Sequence, residues 1–164
     1  MLSNPIHRTG GKWYLWLYEN KSGPIEKVAN GERQYGSGSL KGQCAAGAQV
    51  LCGRENSDVP KVSSWRAGLT IFEMWGKNIG VPVGVVMASF SGNGEYVNAP
   101  GGAGQGNHTI LYLGHNNNGT YNIADQYHYI DSSGNLHSQN YTIHPVSGEY
   151  MSRFRVVMTN RIYD

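Results

Sequence analysis

Cys44 is the residue of this chain with the most chemistry to offer. A cysteine attacks as its thiolate, and a helix N-terminus supplies partial positive charge that lowers a thiol pKa. The run Gly42-Gln43-Cys44-Ala45-Ala46-Gly47-Ala48-Gln49-Val50-Leu51-Cys52-Gly53 places the cysteine at such a point. Its small residues and the Gly53 stop predict a helix of about two to three turns that Cys44 opens. The Cys44 N–H, in the first turn and without an intrahelical acceptor, can donate to an oxyanion. Ala45, Ala48 and Cys52 share one face suited to close packing. Along such a helix Cys52 is about 12 Å from Cys44, beyond disulfide reach, so two free thiols are expected.

A thiol nucleophile needs a base, and the base needs a group that orients it. The chain has six histidines: His7, His108, His115, His128, His137 and His144. His108 follows the glycine-rich stretch Pro100–Gly106 and opens the apolar, β-branched run up to Leu113. That predicts a strand with the imidazole at a sheet edge, where a cleft can form. Asn116-Asn117-Asn118-Gly119 is a hairpin turn signal. Centred near Asn117-Asn118, the turn sets Thr109 and Ile110 opposite about Asp125 and Gln126, and either side chain could hold the ring. The other histidines fall in segments that read as loops or terminal stretches.

The remaining elements must carry these groups. The 164 residues suit one domain over 1–164, and 39% hydrophobic content with 15% charge is a folding composition. The 23 glycines and 11 tyrosines, with short apolar runs, indicate strands joined by many turns. Lys12–Glu19 reads as a short helix or a strand, and Tyr35-Gly36-Ser37-Gly38-Ser39 as a flexible loop. Val81–Phe90 has strand character, Gly92-Asn93-Gly94 marks a tight turn, Thr120–Tyr129 returns antiparallel, and Phe154–Met158 is a last strand. A helix followed by a meander is an α+β arrangement, the helices segregated from an antiparallel sheet.

The formal net charge of +2 comes from scattered cations, so no nucleic-acid patch is expected. No run is long and apolar enough to predict a membrane span. Met1–Gly11 lacks the apolar core of a Sec signal, so synthesis in the cytoplasm and carriage by another machine are expected. No cofactor and no metal are implied. HExxH is absent, and His spacings of 7, 13, 9 and 7 from His108 to His144 match no ligand pattern. G-x-S-x-G and phosphate-loop patterns are absent as well. The main non-enzymatic alternative is a glycan-binding module that stacks sugars on Trp13, Trp16, Trp65, Trp75 and the tyrosines.

Several linked segments resemble known hydrolases. Tyr35-Gly36-Ser37-Gly38 followed by Gly42-Gln43-Cys44 resembles the tyrosine, glycine-rich loop and cysteine of NlpC/P60 peptidoglycan hydrolases, and Gln43-Cys44 is similar to the Gln-Cys of CHAP amidases. Gly106-Asn107-His108 through Gly114 is similar to the His-led strand of both. Ala124-Asp125-Gln126 resembles the Asp-Gln of type VI secretion amidase effectors. Trp65–Gly68, Ala88–Phe90 and Gly94–Tyr96 resemble a small proteobacterial branch of the superfamily. The chain departs from the usual Asp-Cys-Ser-Gly in having Gln43-Cys44-Ala45-Ala46.

The resemblance implies a papain-like NlpC/P60 fold, with the nucleophile's helix packed on an antiparallel sheet. It implies cleavage of amide bonds in peptidoglycan stem peptides, at γ-D-glutamyl–diaminopimelate or near the sugar–peptide link. Cys44 would attack, His108 would shuttle the proton, and Asp125 would orient His108, with Gln126 the other candidate. Gln43 would donate to the oxyanion or shape the loop before the helix, and Tyr35 would line the oxyanion site or pack the loop. Acyl transfer on the same cysteine scaffold is a further alternative. The implied setting is the periplasm or wall of a rival cell, the implied partners type VI secretion components and a cognate immunity protein.

Overall fold

Thr109–His115, Thr-Ile-Leu-Tyr-Leu-Gly-His, alternates side chains to two faces, and both faces are buried over its first five residues. This is β4, the central strand in the computed structural model, which describes residues 13–14, 28, 30–36, 43–52, 62–97 and 107–159. The Asn116–Thr120 turn closes with Asn116 accepting from Gly119 N–H at 3.3 Å and donating its N–H to Thr120 at 2.8 Å. It returns the chain as β5, Tyr121–Asp125. Leu111 pairs with Ala124 and Tyr112 with Ile123, the register set by a turn centred on Asn117-Asn118. The register then shifts so that His115 faces Tyr121, and Gly114 takes the positive φ of 106° inside that irregularity.

Antiparallel partners flank this hairpin. On one side lie β3 (Val86–Ala88) and then β9 (Arg155–Thr159); on the other lies β8 (Thr142–Val146). The sheet order is β1-β9-β3-β4-β5-β8, with β1 (Trp13–Tyr14) and β2 (Arg66–Ala67) both paired to β9. A separate two-stranded ribbon joins β6 (His128–Ile130) to β7 (Leu136–Ser138).

Helix α1, Cys44–Cys52, covers one sheet face: Ala45, Ala48, Leu51 and Cys52 pack with Leu111, Leu113, Ala124, Trp65 and Tyr141. The other face takes α2 (Ile71–Gly76) and α3 (Gly148–Met151), through Ile71, Met74 and Met151 against Ile110, Tyr112 and Ile123. Both short helices carry side-chain caps: Thr70 accepts from Glu73 N–H and Ser147 from Tyr150 N–H, each at 3.1 Å. No helix among the described residues is long and apolar enough to cross a membrane.

The class is α+β, helices on an antiparallel sheet. The element order is less simple than a helix followed by a meander. β1 precedes α1 and pairs with the last strand, while α2 and α3 fall between strands. The return strand stops at Asp125, and the chain leaves the main sheet for the β6–β7 ribbon. Four histidines expected in loops or terminal stretches lie in strands instead: His115 ends β4, and His128, His137 and His144 sit in β6, β7 and β8. The strands of the last three are short or exposed, so they carry little apolar periodicity, and His115 is the exposed last residue of β4. Residues 15–19, Ser37–Ser39, Gly53, Pro100–Gly106 and His7 lie outside the described residues.

One glycine lets α1 reach the sheet. A Cβ on Gly47 would lie 2.6 Å from the Tyr141 ring and 2.8 Å from Gln126 Nε2. Gly47→Ala should therefore destabilise the fold by about 1–3 kcal/mol although alanine is the better helix former. Gly76→Ala, with nothing within 4 Å, should be near neutral. Urea melts of the two variants check this; equal stability would refute the close approach.

Candidate active site

Helix α1 starts where a buried glutamine pins it. The Gln43 carbonyl accepts from Gly47 N–H at 3.0 Å, closing the first turn, and also from Gln126 Nε2 at 2.7 Å. Gln126 Nε2 also donates to the Tyr35 carbonyl at 2.8 Å, and its Oε1 accepts from Tyr35 N–H at 2.7 Å. Gln126 is wholly buried, and these three bonds answer most of its amide. The cysteine that follows Gln43 is thereby fixed relative to the end of β5.

His108 is fixed separately. Its backbone brackets Ser89: His108 N–H donates to Ser89 Oγ at 2.8 Å, and Ser89 N–H donates to the His108 carbonyl at 2.9 Å. Its Nε2 lies 2.8 Å from Asp125 Oδ2. A carboxylate only accepts, so Nε2 carries the proton and Nδ1 is left for the thiol. Burial alone would push the Cys44 thiol up, but the hydrogen bond and charge of His108, helped by Tyr96 and the Thr109 backbone, outweigh it. The thiol is held below its ordinary value. Burial pulls His108 down, yet its bonds to Asp125 and Cys44 win and push it up to about 9. Burial would also raise Asp125, but bonds from His108 and His144 keep it below the usual carboxylate range. The three shifts act together, each favouring the charged form: thiolate on Cys44, imidazolium on His108 and carboxylate on Asp125.

The residues named from sequence separate into two sets. Cys44, His108 and Asp125 come together. Gln126 does not hold the imidazole; its amide is spent on the Tyr35 and Gln43 backbones, because it leaves β5 on the side opposite Asp125. Gln43 enters through its carbonyl, which caps α1. The Tyr35 ring meets Tyr141 edge-on at 5.4 Å with the Arg33 guanidinium 5.2 Å over it. The tyrosine at the thiol is Tyr96, its hydroxyl 3.5 Å from Cys44 Sγ. That hydroxyl accepts from Thr109 Oγ1 at 2.8 Å and donates to the Asn107 carbonyl at 3.0 Å. Burial and the Cys44 charge push the phenol well above its ordinary value, so it stays a neutral hydroxyl.

Two groups escaped the sequence reading. Tyr96 lay within the resembling segment Gly94–Tyr96, but only Tyr35 matched a family role. His144 donates from Nε2 to Asp125 Oδ1 at 2.7 Å. Pro145 hid its strand, since proline argues against a central strand; β8 is an edge strand and tolerates it. Both Nε2 atoms are turned to the carboxylate, and no cluster able to hold a metal occurs among the described residues. Comparison of the chain with family models, curated proteins and solved structures returns no match.

Iodoacetamide reports the thiolate directly. Cys44 is partly exposed and Cys52 buried, so Cys44 should label faster. A lowered thiol pKa means the rate rises and flattens at a pH below the ordinary thiol value of 9.0. A further rise should come only near the His108 value of about 9, where the imidazolium loses its proton. A single rise at the ordinary thiol value, or faster labelling of Cys52, would contradict the pairing.

Proposed function

We propose that this chain is a cysteine amidase or peptidase of papain-like type that cleaves amide bonds in bacterial peptidoglycan stem peptides. The observation that carries the reading is the Cys44–His108–Asp125 arrangement, with the imidazole bonded to a buried carboxylate and the thiol held low. Cys44 Sγ attacks the amide carbonyl, forming the S–C bond. The first-turn N–H of Cys44 is the proposed donor to the developing oxyanion. His108 gives its Nδ1 proton to the leaving nitrogen as the C–N bond breaks, leaving a thioester on Cys44. Water then attacks that carbonyl and yields its proton to His108. The C–S bond breaks, and the acid product leaves.

The substrate class rests on the resemblance to NlpC/P60, CHAP and type VI amidase sequences. Tyr127 is exposed, and its ring centroid lies 6.2 Å from that of His108, which puts an aromatic surface beside the candidate base. Purely non-catalytic stacking of glycans is less well supported: Trp65 is wholly buried in the core, and Trp75 is half-buried among Phe72, Tyr121 and His115. Trp16 and the Trp13 side chain lie outside the described residues. Acyl transfer shares the thioester and differs only in the acceptor. As an effector delivered by a type VI apparatus, the chain would act in the periplasm of a rival cell and be countered by an immunity protein.

Purified sacculi incubated with the protein should release new peptide termini, read by mass spectrometry of the muropeptides. Cys44→Ala and His108→Ala should each lose about 10³-fold or more in rate and to a similar extent, since the two act as a unit. Directed to the periplasm of a Gram-negative host, the wild type should cause lysis and Cys44→Ala should not. Binding to sacculi without new termini would favour the glycan-binding alternative, and a product bearing an added amine or lipid would favour transfer. Lysis that survives Cys44→Ala would point to another target.

A further inference from the structure

We infer that His144 is a positioning residue for His108, acting through the carboxylate that the two histidines share. Asp125 is buried, its side chain only 2% exposed, and each of its oxygens meets a different imidazole. His108 Nε2 lies 2.8 Å from Oδ2 and His144 Nε2 lies 2.7 Å from Oδ1. The grips come from opposite sides of β5. His108 precedes β4 on one flank, and His144 lies in β8 on the other, paired with Ile123, two residues from Asp125 on the same face.

A carboxylate held by one donor can turn about its terminal torsion, whereas one held at both oxygens has a fixed plane. That plane sets the direction in which His108 Nε2 is drawn and hence where Nδ1 meets the thiol. Removing His144 would leave Oδ1 of a buried anion without its donor. The carboxylate would then turn or take a proton, and either change weakens its hold on His108. His144 grips as a donor through Nε2–H, which the neutral ring also supplies. The charged and titratable groups that act on it are Asp125, which favours its charged form, and His108, which opposes it. Its own side chain is 35% exposed, so it reaches the carboxylate from the solvent side and need not touch substrate.

The inference rests on the cysteine-hydrolase reading, and its test uses the thiol rather than the wall. Ultraviolet titration of the Cys44 thiolate and the pH profile of Cys44 alkylation are measured for the wild type, His144→Ala, His144→Gln and His144→Asn, all with Cys52→Ala. In His144→Ala the upper limb, set by His108, should fall by about one pH unit, with a roughly tenfold loss of turnover on a wall peptide. Glutamine places an amide N–H near the Nε2 position, so His144→Gln should restore most of that limb, and the shorter asparagine should not. If His144→Ala fails to fold, the Gln and Asn comparison decides alone. An unshifted limb in His144→Ala, or equal shifts with Gln and Asn, would overturn the positioning role while leaving the hydrolase reading intact. A wild-type thiol that titrates ordinarily would overturn both.

Discussion

Two consecutive side chains at the end of β5 leave on opposite sides, and the geometry of the candidate site depends on that alternation. Asp125 turns toward His108 and His144, while Gln126 turns toward the Tyr35 loop and the carbonyl that caps α1. Side chains alternate along a strand, so one peptide unit fixes the base from one side and the nucleophile's helix from the other. A shift of one residue in the β4–β5 register would exchange the two and lose both. Tyr121-Asn122-Ile123-Ala124 ahead of them is held between β4 and β8, so the pair sits at the end of a strand bonded along both edges.

The two grips differ in kind. Gln126, itself wholly buried, makes neutral bonds to the Tyr35 and Gln43 backbones, and losing one would leave part of its buried amide unpaired at a cost of about 1–3 kcal/mol. Gly47 is part of the same arrangement, since any side chain there would strike the Gln126 amide. Asp125 works by charge. A buried carboxylate is tolerable only when paired, and here each oxygen has an imidazole. The imidazolium of His108 in turn stabilises the thiolate of Cys44, so burial, which opposes each charge separately, strengthens the attraction between them. Tyr96, held by Thr109 and Asn107, sets a neutral hydroxyl beside the sulfur without adding charge.

Much of this was legible in the sequence because it follows from local rules. Small residues after Gln43 gave α1 and its starting residue, and hairpin arithmetic about Asn117-Asn118 brought His108 and Asp125 to the same end of adjacent strands. The choice between Asp125 and Gln126 was not legible, because both flank the same register position. Only the direction in which each leaves the strand separates them. His144 was hidden by Pro145, and Tyr96 by the stronger pattern around Tyr35. The pairing of β1 with β9 spans almost the whole chain, and local periodicity carries no record of such contacts. Trp65, offered by composition as a stacking platform, is core because it sits beneath Tyr96, their ring centroids 5.2 Å apart.

The central claim is that His108 is an imidazolium facing a Cys44 thiolate while bonded to Asp125. Nitrogen-15 NMR of the histidine side chains tests it most directly. At neutral pH both ring nitrogens of His108 should carry protons, and the ring should titrate only near 9, falling to a lower value in Cys44→Ala. A His108 that is already neutral at neutral pH, or whose titration is indifferent to Cys44, would contradict the account.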